Sequence, residues 1–258
     1  SDNKDLRLAR PDEWPCTPKE LPRRLKALEF YDGAPLRSAK AVKADALAID
    51  RIARAHKGVS RTAGSSVSHS RSLVVEMDSL GFRAVVRSSS HSKMTNVIAE
   101  QNREMQSAYD HDTAFFRDDL RGDEECARRA GERAVALLGA RPIPTQVMPV
   151  IFDRQMSGVL LRMFFGAINA QLVYRKSTFL LERLCTPVFR PEVTIVDEPH
   201  LPRRLRSGLY DREHVAMKPR MLVEQGVPTM WVANIEHGAK IGIASTGHAS
   251  GHANLSML

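Results

Sequence analysis

Two carboxylates and an imidazole fall within four positions at Asp211-Arg212-Glu213-His214, in the stretch SGLYDREHV (207–215). These side-chain types supply general acids and bases, with proton affinities tuned by burial and by each other's charge. A second grouping is Ser245-Thr246-Gly247-His248, followed by Ala249-Ser250-Gly251-His252. Two histidines four apart would share one face of a helix, as a zinc site requires. Ser250 and Gly251 disfavour a helix, however, and no glutamate follows His248, so the segment reads as a loop. A third grouping, Tyr174-Arg175-Lys176-Ser177-Thr178, sets two cations and two hydroxyls between the apolar residues Val173 and Phe179. His69, His91 and His111 lie on or beside predicted strands in polar surroundings, where an exposed histidine is expected. Asp110-His111-Asp112 offers ligand types for a cation, but the better reading is a charged strand edge that discourages pairing with other chains.

The elements that position these groups follow from periodicity. Leu160, Leu161, Phe164, Phe165 and Ile168 recur at helical spacing between Gln155 and Ile168, predicting a buried helix with Asp153 as its N-cap. The Arg175–Ser177 loop would then sit on a rigid support. Upstream, Ser38 to Ala55 and Asp123 to Leu138 read as amphipathic helices, the latter with three acidic residues in its first turn. Between them a Ser-rich turn (65–70) is expected, then four antiparallel strands at 73–77, 82–87, 94–100 and 105–111. Gly81 and Gln101-Asn102 would serve their tight connections. Residues 1–37 carry five prolines and predict an extended connection with one short helix near 21–30. Beyond the stiff linker Arg141–Pro144, strands are expected at 147–152, 193–196, 215–224 and 229–234. The last two form a hairpin turned at Gln225-Gly226, and a short helix follows over 236–241. The fold class is therefore α+β. A helix-and-antiparallel-sheet domain over 1–141 precedes a β-rich domain over 142–258.

The bulk numbers narrow the function. No apolar run approaches the roughly 20 residues of a bilayer span, and SDNKDLRLARPDEW has no apolar core of the secretory kind. Cys16, Cys126 and Cys185 are three in number and far apart. They suit a reducing cytoplasm and make neither a zinc ribbon nor a disulfide framework. A net charge of +8 would attract acidic peptides or nucleic acid, but the cations come as scattered pairs without interleaved aromatics, which is a solvated basic face.

The stretch VYRKSTFLLERL, together with VTIVDEPHL (193–201), SGLYDREHV, VEQGVPTMWV (223–232), HGAKIGIASTGHASG (237–251) and, upstream, NVIAEQNREMQSAYDHD (96–112), resembles the TldD/PmbA family of metalloproteases, on its PmbA (TldE) side. The motifs fall in family order over nearly the whole chain. The resemblance implies further residues before and after this stretch, so the chain reads as cut at both ends. It also implies a His-Glu-x-x-x-His zinc motif in active members. Anchored on Tyr174-Arg175, that motif falls on Arg162, Met163, Phe164, Phe165, Gly166 and Ala167, with Arg162 and Ala167 in place of the histidines and Met163 in place of the glutamate. No metal ligand remains there. The resemblance thus implies a subunit with no cofactor of its own, paired in the cytoplasm with a TldD-type subunit that holds zinc and cleaves unstructured peptides. Arg175, Ser177, Asp211, Glu213, Thr246, Gly247 and His248 are the expected peptide-positioning residues, and no residue is expected to be catalytic. The family is linked to microcin-type peptide maturation, antitoxin turnover and gyrase inhibition. His214 and Cys185 stand where the family carries glycine, so the backbone shape at both places is in question. Two other readings remain: a basic nucleic-acid- or gyrase-associated binding protein, and a self-sufficient hydrolase built on His248, His252 and Glu213.

Overall fold

In the computed structural model, which describes residues 5–258, four α-helices start where Ser38, Asp153, Asn169 or Asn234 takes up an open amide of the first turn. The chain resolves into two units, one built from residues up to Glu29, Val74–Val86 and Pro149–Leu258, the other from Phe30–Leu73 and Arg87–Met148. Residues 1–4 of the predicted N-terminal connection lie outside the described residues.

In the first unit, a 3-10 turn at Pro11–Glu13 and the helix α1 (Leu21–Lys26) punctuate an otherwise extended N-terminal segment. The second unit opens with α2 (Ala39–Arg54), capped by the Ser38 hydroxyl, which accepts from the Ala41 amide at 3.3 Å. Three strands follow, β1 (Val59–Met77), β2 (Arg83–Gln101) and β3 (Glu104–Ala114), in the order β1-β2-β3. The sequence predicted four strands and a serine turn. Instead, residues 65–70 are strand, and the second and third predicted strands are the two ends of a single β2. Serines at 65–70 read as a turn by composition, but a long neighbouring strand supplies them with ladder partners, and context overrides propensity. The turn after β2 is Asn102-Arg103, both with positive φ (51° and 68°), the geometry of a type I′ hairpin. Pairing of β2 with β3 runs from His91↔Ala114 to Gln101↔Glu104. Helix α3 (Asp123–Ala136) covers this sheet through Ala127, Ala130 and Ala134, which pack with Ala53, Val97 and Ala99. Small residues on both sides let the backbones approach closely.

The rest of the first unit is organised by α4 (Arg154–Ala167), whose Asp153 cap accepts from the Met156 amide at 2.7 Å, as predicted. Phe164, Phe165 and Ala167 of α4, with the following Ile168, pack on Leu180, Ile195, Leu222, Val223 and Val232. The helix is buried on one face only: Met156, Leu160 and Met163 are exposed. A sheet in the order β6-β5-β4-β7 lies under that core, formed by β4 (Ile195–Asp197), β5 (Arg220–Glu224), β6 (Val227–Pro228) and β7 (Leu255–Met257). The strand predicted at 147–152 is absent: Val147, Val150 and Ile151 are exposed chain with no partner strand. The Gln225-Gly226 turn is present, with φ of 45° and 81°, but its arms are shorter than the expected 215–224 and 229–234: they are β5 (Arg220–Glu224) and β6 (Val227–Pro228). Here glycine is also a spatial requirement, because a Cβ on Gly226 would lie 2.4 Å from the Phe189 carbonyl oxygen. Two short helices, α5 (Ala170–Tyr174) and α6 (Ile235–Lys240), are capped by Asn169 and Asn234.

Candidate functional site

A buried polar constellation lies in the first unit, where the 211–215 turn meets the 245–250 loop. The Asp211 carboxylate is 1 % exposed and binds three amides: Oδ1 accepts from Glu213 and Val215 at 2.9 and 3.1 Å, and Oδ2 from Ala249 at 2.8 Å. One carboxylate therefore closes its own turn and ties it to the other loop. Burial nevertheless raises its pKa above the ordinary carboxylate value, with the amides and His248 opposing the shift. Glu213 accepts from the Ile235 amide at the start of α6 (2.8 Å), and burial raises its pKa as well, with the nearby Asp211 charge adding to the shift.

Thr246 and His248 continue the network. The Thr246 hydroxyl accepts from the Ala233 amide at 2.8 Å and lies 2.7 Å from His248 Nδ1. His248 Nε2 stands 3.3 Å from Asp197 Oδ2, which also accepts from the Ala253 amide at 3.0 Å. A Thr–His–Asp relay of this kind resembles a nucleophile with its base. However, all three side chains are buried and the threonine oxygen is already committed to Ala233, so the relay locks loops together. Gly247 belongs to the same lock. Its φ is 79°, and a Cβ there would lie 2.3 Å from the Ala216 carbonyl oxygen. Sequence reasoning missed Asp197; its signal was the acid that ends the apolar IVD strand, and it is buried.

Asp211, Glu213, Thr246, Gly247 and His248 are thus brought together, whereas Arg175 and Ser177 are not. Both of the latter are exposed in the turn after α5 and share no side-chain hydrogen bond or ion pair with the cluster among the described residues. In that turn the buried member is Thr178, whose hydroxyl donates to the Ala167 carbonyl at 2.6 Å. The hydrolase grouping of His248, His252 and Glu213 does not converge. His248 and His252 flank the Phe165 ring at 5.6 and 5.3 Å in a loop, while Glu213 is held by α6.

The positions implied for a zinc motif lie on α4. Arg162 and Met163 are exposed, and Ala167 is buried in the core. None offers an imidazole or carboxylate, so these residues do not fit a zinc ion, and among the described residues no three His, Cys, Asp or Glu side chains converge to hold a metal. Both positions where glycine was implied have left-handed backbone, with φ of 65° at His214 and 58° at Cys185. The shape is kept without the glycine. His214 is further held by stacking on Phe82 (centroids 4.0 Å apart) and by Asp78 Oδ2 at 3.0 Å from its Nδ1.

Two histidine expectations change in the second unit. His91 is buried, with Nδ1 2.7 Å from that of the half-buried His69 and Nε2 3.3 Å from Asp32. Burial lowers both pKa values. Asp110 is also buried. It pairs with Arg121 and Arg133, each at 2.8 Å, so the predicted edge charge is neutralised from α3 and the preceding loop. Cys126 sits buried beside it, its thiol pushed up to about 11 by burial and the Asp110 charge, which leaves it no nucleophilic thiolate at neutral pH.

Comparison with known proteins gives these geometries a context. Residues 33–138 match the family model of the central domain of PmbA/TldA metallopeptidases, and residues 145–257 match that of their C-terminal domain. The chain is 31% identical over 224 residues to metalloprotease PmbA of Escherichia coli O157:H7, covering 87% of this chain and 50% of that one. It is 30% identical over 211 residues to a PmbA homolog of Buchnera aphidicola, covering 82% and 47%. Among solved structures, TldE from Thermococcus kodakarensis superposes with a TM-score of 0.72 at 17% identity, covering 100% of this chain and 59% of that one. The chain spans about half the length of the curated relatives it matches. With both domain models matched in order along most of its length, the chain belongs to the PmbA/TldD metallopeptidase family.

Proposed function

We propose that this chain is the subunit without metal of a two-subunit cytoplasmic peptidase. A TldD-type partner carries the zinc and cleaves unstructured peptides, and this chain helps to position them. The observation that carries the reading is the chemistry of α4: Arg162, Met163 and Ala167 stand where the family resemblance places two histidines and a glutamate. Likeness to PmbA relatives supports it, as does the exposed apolar face of Met156, Leu160 and Met163, which suits a protein partner. In this reading Arg175 and Ser177 face the peptide. Asp211, Thr246 and His248 fix the loops around it through their buried hydrogen bonds, and Gly247 does so through its backbone.

The test is co-purification with the TldD-type protein of the same source, with peptide cleavage and zinc content measured for each chain alone and together. Cleavage is expected only in the mixture, with zinc in the partner. Stoichiometric zinc and cleavage by this chain alone would sink the proposal.

A further inference from the structure

On the outside of the first unit, a groove of about 430 Å³ runs between α4, the 201–206 loop and the start of β7. It is lined by Arg162 from the helix, Arg204 and Arg206 from the loop, and His252 and Ser256. No acidic side chain lines it. The Arg162 and Arg204 guanidinium groups make no hydrogen bond or ion pair among the described residues, and Arg206 spends one donor on the His252 carbonyl at 3.5 Å. Three guanidinium groups around one concavity repel one another and leave most of their donors to water. Such an arrangement is relieved by an anion whose oxygens accept from several of them at once.

We propose that this groove is a binding site for an oxyanion, a carboxylate or a phosphate group, held by Arg162, Arg204 and Arg206. The planar guanidinium fork matches both groups, since each presents paired oxygens at the required spacing. The apolar side chains of Leu161, Leu201 and Leu255 line the same groove and offer contact to the body of a molecule bearing that group. The site needs neither a metal nor a partner subunit, so it stands or falls independently of the function proposed above.

Isothermal titration of the purified chain tests it, with inorganic phosphate in one arm and a short acidic peptide in the other, at low and high salt. Saturable binding in at least one arm is expected, weakening with salt and falling about tenfold in Arg204→Gln and in Arg206→Gln. The exposed Arg83→Gln serves as a control and should bind like the parent. The tighter arm identifies whether the group is a phosphate or a carboxylate. Absence of saturable binding in both arms would overturn the proposal, as would equal binding by the Arg204→Gln/Arg206→Gln double variant. Both arginines are exposed, so these variants are expected to fold, and their circular dichroism should match the parent.

Discussion

Gly247 and Cys185 show how differently two left-handed residues can be constrained. At Gly247 the positive φ coincides with a carbonyl only 2.3 Å from where a Cβ would sit, so Gly247→Ala must both strain and displace the loop. A loss of about 2 kcal/mol or more is expected in urea unfolding. Cys185 is exposed, and Cys185→Gly should stay within about 1 kcal/mol of neutral. The His69–His91 pair carries a pH prediction. Both rings titrate below the ordinary imidazole value of 6.5, because burial disfavours their charged forms and, for His69, because of its neighbour His91; Asp32 partly opposes this at His91. The unfolded chain therefore binds protons more readily than the folded one. The pair's contribution to stability is complete above the unfolded value and is lost as pH falls through the depressed folded values. Unfolding midpoints measured across that range should drop towards acid and do so less steeply in His69→Gln. Nothing in the residues around His91 in sequence announced its burial; the β2 register against β3 and the approach of Asp32 decide it.

At the scale of elements, α4 has two unlike faces, one buried and one exposed. Phe165 is 6 % exposed in the core, and Phe165→Ala should cost about 3–5 kcal/mol, read as a lowered melting temperature. Met163, on the other face, is 64 % exposed. Met163→Glu should leave the melting temperature unchanged and, on the proposed function, abolish co-purification with the TldD-type protein. This helix, its Asp153 cap, α2, α3 and the Gln225-Gly226 hairpin were all legible in the sequence, because periodicity, caps and turn residues are local signals. The 19-residue strands were not, since β1 is held by a neighbour and not by its own propensity. The apolar run at 147–152 misled for the converse reason: it has strand composition and no partner.

For the whole molecule, the proposed function predicts a division of labour between two subunits. On the proposed function, peptide cleavage should appear only when the chain is added to the TldD-type protein, and the addition should leave the zinc content of the mixture unchanged. A chelator should abolish cleavage while leaving this chain's own unfolding curve in place, because its buried carboxylates are held by its own amides. If instead the chelator lowered this chain's melting temperature, a resident metal would be indicated.

The family motifs, helix α4 and the residue types at the positions implied for zinc could all be read from the order of residues. Donor chemistry belongs to a side chain's type, and helical spacing is a short-range property. Only the tertiary structure decided that Asp211 knots two loops, that Asp197 meets His248, that Asp78 holds His214 from 136 residues away, and that three arginines share one groove. Burial and pairing depend on which distant segments the packed core brings side by side, and no local pattern encodes that.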